Sequence, residues 1–248
     1  YLVMEFMPGG DLLTYLMQRR VLPKTVVIYA AEVLLALEYL HTHNIIYRDL
    51  KPENILVGPN GHLKLADMGL AKCLDGDNCR TLSICGTEGY LAPEMIRRRL
   101  YGKSVDFWMY GCFLFELYIG RSPFWRPRNQ RQNLHRDILS GVFTIPRSLP
   151  IKAANTVKLM LNIEVRQRLG CGLQGWTEVK NQEYFEILGT WNADEIFSAP
   201  LLNVGSDVQK AINGNFDPSC TSQDPRWNSE QDSVEEHKLE LLGYQFQR

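Results

Sequence analysis

The chain has 248 residues, 45% of them hydrophobic and 22% charged, with a formal net charge of −1. That length can bury a sizeable core in one large domain or two small ones, and the charge balance gives no reason for a nucleic-acid or anionic-membrane partner. Six cysteines without CxxC or metal-ligand spacing argue against a disulfide framework and fit reduced thiols; no signal peptide or bilayer-length apolar run is visible.

Residues 1–7 (YLVMEFM) read as a strand, stopped by Pro8-Gly9-Gly10. A strand with nothing before it needs a neighbour, so the chain reads as a fragment that begins inside a larger domain. Asp11 is placed to cap a short helix running through Gln18. Across 25–43 the apolar Val26, Ala30, Val33, Leu37 and Leu40 recur at spacings of four and three, which predicts a long amphipathic helix. A charged patch, Arg48-Asp49-Leu50-Lys51-Pro52-Glu53-Asn54, follows between apolar neighbours. Residues 54–57 and 62–65 then predict two short strands around Gly58-Pro59-Asn60-Gly61.

Residues 67–103 show no sustained period, and a loop of that length is functional or disordered. Residues 105–119 are apolar on nearly every face, with Ser104 placed to cap and Gly120 to stop them, which predicts a buried helix. Its two charges, Asp106 and Glu116, each need a partner or a ligand. Further helices are predicted over 130–140, 151–162 and 177–187. From about 206 the chain turns polar and acidic and predicts an extended tail, with apolar Leu239, Leu242, Tyr244 and Phe246 near its end. His41, His43 and His62 lack metal spacing and read as structural or exposed.

The charged patch decides the reading. Such groups cost several kcal/mol per ion unless each finds a partner, so they form a buried network or serve something charged that binds. Asp67-Met68-Gly69 leaves the predicted hairpin, which lets Asp49, Asp67, the Asn54 amide and the Lys51 ammonium share one small space. Phosphoryl transfer requires these parts: a base for the hydroxyl proton, hard oxygen ligands for Mg²⁺, and a cation for the moving phosphoryl group.

In order and interval, residues 49–54 (DLKPEN), Asp67-Met68-Gly69 and Ala92-Pro93-Glu94 resemble the catalytic loop, DFG and APE elements of eukaryotic protein kinases, over residues 1 to about 187. The resemblance implies Asp49 as catalytic base, Lys51 at the transferring phosphate, and Asn54 and Asp67 as Mg²⁺ ligands. It implies a hinge at 1–7 with Met4 as gatekeeper, adenine held by the backbone of Glu5 and Met7, ribose by Asp11, and Leu56 under the base. Arg48 would meet a phosphate or carboxylate of the activation loop, Asp106 would brace the catalytic loop, and Glu94 would pair with Arg168.

Tyr47, Cys85-Gly86-Thr87, residues 175–185 (GWTEVKNQEYF) and Asn215-Phe216-Asp217 resemble the AGC group. Glu88-Gly89-Tyr90, Ser122-Pro123-Phe124 and Arg168-Leu169-Gly170-Cys171 are similar to G-protein-coupled-receptor kinases, from which Glu53 and Ser83 depart. By the same resemblance Thr87 belongs to substrate recognition and Ser83 is an activation-loop phosphosite. Glu53 and Glu116 would receive an Arg upstream of the target hydroxyl through a bidentate pair.

The implied fold is mainly α: a hinge strand at 1–7, a protein-kinase-like large (C-terminal) lobe over 8–205 with a short β-hairpin at the catalytic loop, and an AGC-type tail at 206–248. No GxGxxG run followed by a VAxK-type Lys occurs in the sequence, so the small β-rich lobe is expected to be absent. The implied activity is ATP- and Mg²⁺-dependent phosphorylation of protein Ser/Thr behind basic residues. The chain is expected to be a cytoplasmic monomer with no nucleic-acid partner and no transmembrane segment, inactive without the missing small lobe. The alternative is a pseudokinase-like protein-binding module.

Overall fold

In the computed structural model, which describes residues 4–18, 21–74 and 80–201, the core is organised by α2 (Pro23–Thr42) and α4 (Ser104–Ile119). Every residue of α4 from 105 through 117 is buried, as the all-round apolar sequence demands. Gly120 ends it, returning its N–H to the Glu116 carbonyl at 2.8 Å. Ser104 does not cap the helix. Lys103 occupies that position, and the Ser104 hydroxyl instead donates to the charged acceptor Glu94 Oε1 at 2.9 Å. By length and hydropathy α2 would suit a bilayer, yet its apolar residues pack inside the protein.

α1 (Leu12–Gln18) begins where Asp11 Oδ1 accepts from the Thr14 amide at 2.9 Å. Strands β2 (Ile55–Val57) and β3 (Leu63–Leu65) form an antiparallel hairpin pairing Ile55 with Leu65 and Val57 with Leu63. The expected single hairpin is incomplete as an account of the sheet structure. β1 (Ile45–Ile46) pairs with β4 (Lys72–Cys73), and β4 lies in the stretch that shows no period. Two residues are too few to leave an alternation to read.

The strand expected over 1–7 is not formed at residues 4–7. After Pro8, which has no N–H to give, the main chain bonds to the hairpin: Gly9 N donates to the Val57 carbonyl and Val57 N to the Gly10 carbonyl, both at 2.9 Å. A Cβ on Gly9 would lie 2.5 Å from Val57 Cβ, so only glycine allows this approach. Residues 1–3, the tail at 206–248 with Asn215-Phe216-Asp217, and its terminal apolar cluster lie outside the described residues.

The second half carries α3 (Pro93–Ile96), α5 (Leu134–Ser140), α6 (Ile151–Met160), α7 (Trp176–Lys180) and α8 (Ala193–Phe197). The helix expected over 130–140 opens as a 3₁₀ stretch, Arg128–Asn133, because RNQRQN has no apolar side chain to bury; the α-helix starts at buried Leu134. The helix expected over 177–187 breaks after Lys180 into the 3₁₀ turns of Glu183–Leu188, where adjacent Tyr184 and Phe185 are both buried with rings 4.8 Å apart.

Candidate active site

The charged patch runs from the end of β1 to the start of β2, and its groups are paired. Asp49 is only 7% exposed. Its Oδ1 accepts from the Thr87 hydroxyl at 2.9 Å and the Thr87 amide at 3.1 Å, and its Oδ2 accepts from Asn54 Nδ2 at 2.7 Å. Lys51 Nζ lies 3.1 Å from Asp49 Oδ2 and donates to Thr87 Oγ1 at 2.8 Å. Leu50, fully buried between them, anchors the loop in the core. Gly86, at φ 102°, lets the later segment come this close: a Cβ there would meet the Arg48 carbonyl at 2.6 Å. Thr87 lies 38 residues from Asp49, and nothing local in the sequence announced the contact.

Asn54 and Asp67 stand at the foot of one hairpin, since Ala66 N donates to the Asn54 carbonyl at 2.9 Å, one step beyond the Ile55–Leu65 pair. Asp67 is exposed at φ 52°, with Oδ1 accepting from Gly69 N at 3.0 Å, an Asx turn of the kind that lets Asp hold a left-handed backbone. Tyr47 reports on both carboxylates. Burial and then the charges of Asp49 and Asp67 push its phenol well up, while its hydroxyl donates to the Ala66 carbonyl. The sequence marked Tyr47 only as resembling the AGC group; its hydrogen bond to Ala66, the residue before Asp67, comes from the fold.

The loop is braced from beneath. Asp106 of α4, fully buried, accepts from the amides of Tyr47 and Arg48, each at 2.9 Å, and from His41 Nε2 at 2.7 Å. Trp176 Nε1 donates to His41 Nδ1 at 3.0 Å, which fixes the ring so that Nε2 carries the proton towards Asp106. Arg48 sits at φ 70°, a conformation of order 1–3 kcal/mol above the usual ones for a non-glycine residue, held by these bonds. Sequence reasoning left His41 as a bland histidine and passed over Trp176. The hint was position: His41 lies in the last turn of the helix that leads into the patch.

Arg48 reaches the segment that carries Ser83. Its Nε donates to the Leu70 carbonyl at 2.7 Å and its Nη1 to the hydroxyls of Ser83 at 2.6 Å and Tyr101 at 3.2 Å. Lys72 Nζ donates to Thr81 Oγ1 at 2.9 Å, two residues before Ser83. Glu94 of α3 and Arg168 form a buried bidentate pair at 2.7 and 2.9 Å. Burial raises the Glu94 carboxyl, and the hydrogen bonds and charge of Arg168 outweigh it, holding the group below its usual range.

The nucleotide-side residues are spread more loosely. Met4 is 70% exposed, and the Glu5 carboxylate pairs with Lys64 on the surface. Met7 is buried, Asp11 caps α1, and Leu56 lies in β2 bridged to Asp11. Glu53 is exposed beside the loop, whereas Glu116 is buried near the end of α4. Glu116 Oε2 is buried without a hydrogen-bond partner among the described residues. Burial, aided by the Glu53 charge, pushes its carboxyl up to about 8. It faces a cavity of about 390 Å³ walled by apolar side chains of α1 and α2.

The donor set at the hairpin foot fits Mg²⁺. Asn54 commits its amide nitrogen to the Asp49 carbonyl and carboxylate, which leaves the amide oxygen as its acceptor. With the exposed Asp67 carboxylate this gives two hard oxygen donors, and Mg²⁺ commonly takes one or two protein ligands and completes its shell with water and phosphate oxygens. No group of three or more His, Cys, Asp or Glu gathers as a metal centre among the described residues.

Comparison with known proteins agrees with this arrangement. A model of the protein kinase domain matches residues 1–185. The chain is 40% identical over 234 residues to the cAMP-dependent protein kinase, catalytic subunit-like, of Caenorhabditis elegans, covering 90% of this chain and 57% of that protein. It is 40% identical over 194 residues to human cAMP-dependent protein kinase catalytic subunit PRKX, covering 78% and 52%. It is 41% identical over 195 residues to the protein kinase C zeta type of Oryctolagus cuniculus, covering 76% and 33%. The chain spans about half the length of the first curated relatives it matches.

The family match overturns one expectation. It starts at residue 1, so the reading of a large lobe alone, with its small β-rich lobe absent, is withdrawn. That reading rested on motifs lacking from the sequence and on where the chain begins, and neither says what precedes residue 1. Physically, the first described residues belong to the same domain, with Gly9 and Gly10 bonded to the hairpin. The chain belongs to the eukaryotic protein kinase family, in its AGC group of serine/threonine kinases.

Proposed function

We propose that the chain carries the catalytic centre of an ATP-dependent serine/threonine protein kinase, acting as a monomer in the cytoplasm. The observation that carries this is the Asp49 carboxylate, oriented by Thr87, Asn54 and Lys51, with Asn54 and Asp67 together at the foot of one hairpin. Asp49 accepts the proton of the target hydroxyl. Lys51 lies against the transferring phosphate, and Asn54 and Asp67 present oxygens to Mg²⁺. Bound Mg²⁺-ATP supplies the phosphoryl group and neutralises its charge. Residues 4–7, Asp11 and Leu56 receive the nucleoside, and Thr87 ties substrate recognition to the base.

Glu53 and Glu116 give the preference for a basic residue before the target. Two carboxylates within electrostatic reach, one lacking a partner, favour a guanidinium between them. Ser83 is the modification site of the loop, its hydroxyl already on Arg48. The 248 residues alone transfer phosphate slowly, because their sequence has no GxGxxG run followed by a VAxK-type Lys to cover and hold the phosphates.

The test is transfer to an Arg-containing Ser peptide, measured on this chain and on any longer protein containing it, against Asp49→Asn in the same background. Asp49→Asn is expected to lose about 10²- to 10⁴-fold in rate while keeping Mg²⁺-dependent binding of a fluorescent ATP analogue, which Asp67→Ala loses. Nucleotide binding without transfer in every background would favour the binding module instead.

A further inference from the structure

Charge is unevenly distributed along this chain. Residues 97–147 hold ten Lys and Arg against three Asp and Glu, a net of +7, within a chain of net −1. Two of the three acids, Asp106 and Glu116, are buried. The third, Asp137, pairs with Arg126 and lies 3.7 Å from Arg136. The surface built from this segment is therefore cationic.

The structure brings the core of that charge together. Arg97-Arg98-Arg99 leaves the end of α3, and α3 packs against α5, with Arg97 Nη2 donating to the Leu139 carbonyl at 3.2 Å. Arg136 projects from α5 with its side chain 74% exposed. Arg98 and Arg99 are exposed and make no ion pair among the described residues. The next residue, Leu100, is exposed as well. Antiparallel bonding of Thr81 with Tyr101 sets Leu82 opposite Leu100, and the two are 55% and 56% exposed. Unpaired arginines beside two exposed leucines have the make-up of an interface: an apolar anchor with cations that can pair bidentately.

We propose that this face, Arg97–Arg99 with Arg136 and the Leu82–Leu100 pair, docks an acidic protein segment carrying an apolar anchor residue. Charge complementarity names the acidic partner. A protein is favoured over a lipid surface because Arg97 is held in place by a backbone carbonyl rather than left free to follow headgroups. The docking does not depend on catalysis at Asp49.

The experiment is fluorescence anisotropy of a labelled peptide rich in Glu and containing Leu, titrated with the full chain at low and at physiological salt. Wild type is expected to bind, more weakly as salt rises. Arg98→Glu/Arg99→Glu is expected to lose about tenfold or more in affinity, and Leu82→Ala/Leu100→Ala to lose affinity while keeping the salt dependence. Lys24→Glu/Arg166→Glu, which reverses two charges elsewhere, should match wild type, and equal thermal midpoints exclude misfolding. The proposal is overturned by equal peptide binding of wild type and Arg98→Glu/Arg99→Glu. It is equally overturned if wild type ignores the peptide, whether or not it binds phosphatidylserine vesicles.

Discussion

Thr87 gives both its hydroxyl, at 2.9 Å, and its backbone amide, at 3.1 Å, to one oxygen of Asp49, while Asn54 holds the other oxygen at 2.7 Å. The carboxylate is thus oriented before any hydroxyl reaches it. Thr87→Ser keeps both bonds, whereas Thr87→Val keeps the volume and the amide but loses the hydroxyl. A hydrogen bond to a charged group is worth roughly 1.5–3 kcal/mol. Phosphate transfer should therefore fall about 10- to 100-fold in Thr87→Val and stay near wild type in Thr87→Ser. Similar kcat in the two variants would remove Thr87 from the machinery.

The Trp176–His41–Asp106 chain predicts a different kind of loss. Trp176→Phe keeps an aromatic ring against Phe107 and Tyr110 but has no N–H for His41. Stability in urea should drop by about 1–2 kcal/mol, and ¹⁵N shifts of His41 should show that the single neutral tautomer is lost. An unchanged tautomer would mean that Asp106 alone orients the ring.

Among the described residues Glu94 and Arg168 make the most heavily buried ion pair that involves no histidine, with the guanidinium also 5.1 Å from the Trp108 ring centre. Removing one partner strands the other's charge, at a cost of roughly 3–5 kcal/mol. Glu94→Gln and Arg168→Lys should both lower the thermal midpoint, the second because an ammonium cannot make the two-pronged contact. With the Glu94 carboxyl held below its ordinary 4.5, its contribution is present above that value and is lost as pH falls through the folded value. Acid unfolding of Glu94→Gln should accordingly be shallower.

Glu116 behaves in the opposite sense. Its carboxyl titrates at about 8 in the fold, against an ordinary 4.5. Between those values the folded chain keeps a proton that the unfolded chain has released, so stability declines as pH rises from about 4.5 to 8. Glu116→Gln should flatten that decline, read as urea midpoints at pH 5.5 and 8.5. For an Arg-containing peptide, KM should fall over the upper part of the same range in wild type and stay level in Glu116→Gln.

How much could be read beforehand follows from how each element earns its place. α4 was legible because a helix buried on all sides is apolar on all sides, and its end was marked by Gly120. The β2–β3 hairpin was legible because its turn residues are strong signals. β4 was not, nor were the 3₁₀ turns, since two or three residues carry no period. Ser104 misled because helix capping is a local rule, and a carboxylate ten residues away in sequence overrode it. At the site, Asp49, Asn54 and Asp67 stood out by type and interval. The bond from Thr87 to Asp49 and the Trp176–His41–Asp106 chain beneath the loop join segments far apart in sequence, and only folding could show those contacts.

Gly9 and Gly10 are fastened through their main chain to Val57, and the same two-stranded ribbon ends at Asn54 on one leg and beside Asp67 on the other. The opening segment and the ribbon therefore form a single stiff lever. A displacement of Gly9 and Gly10 is felt first at Val57, in the hairpin that carries both oxygen donors at its foot. A contact that grips the start of this chain thus has a mechanical route to the spacing of the donors, and the fulcrum is the one residue whose missing side chain lets the two backbones touch.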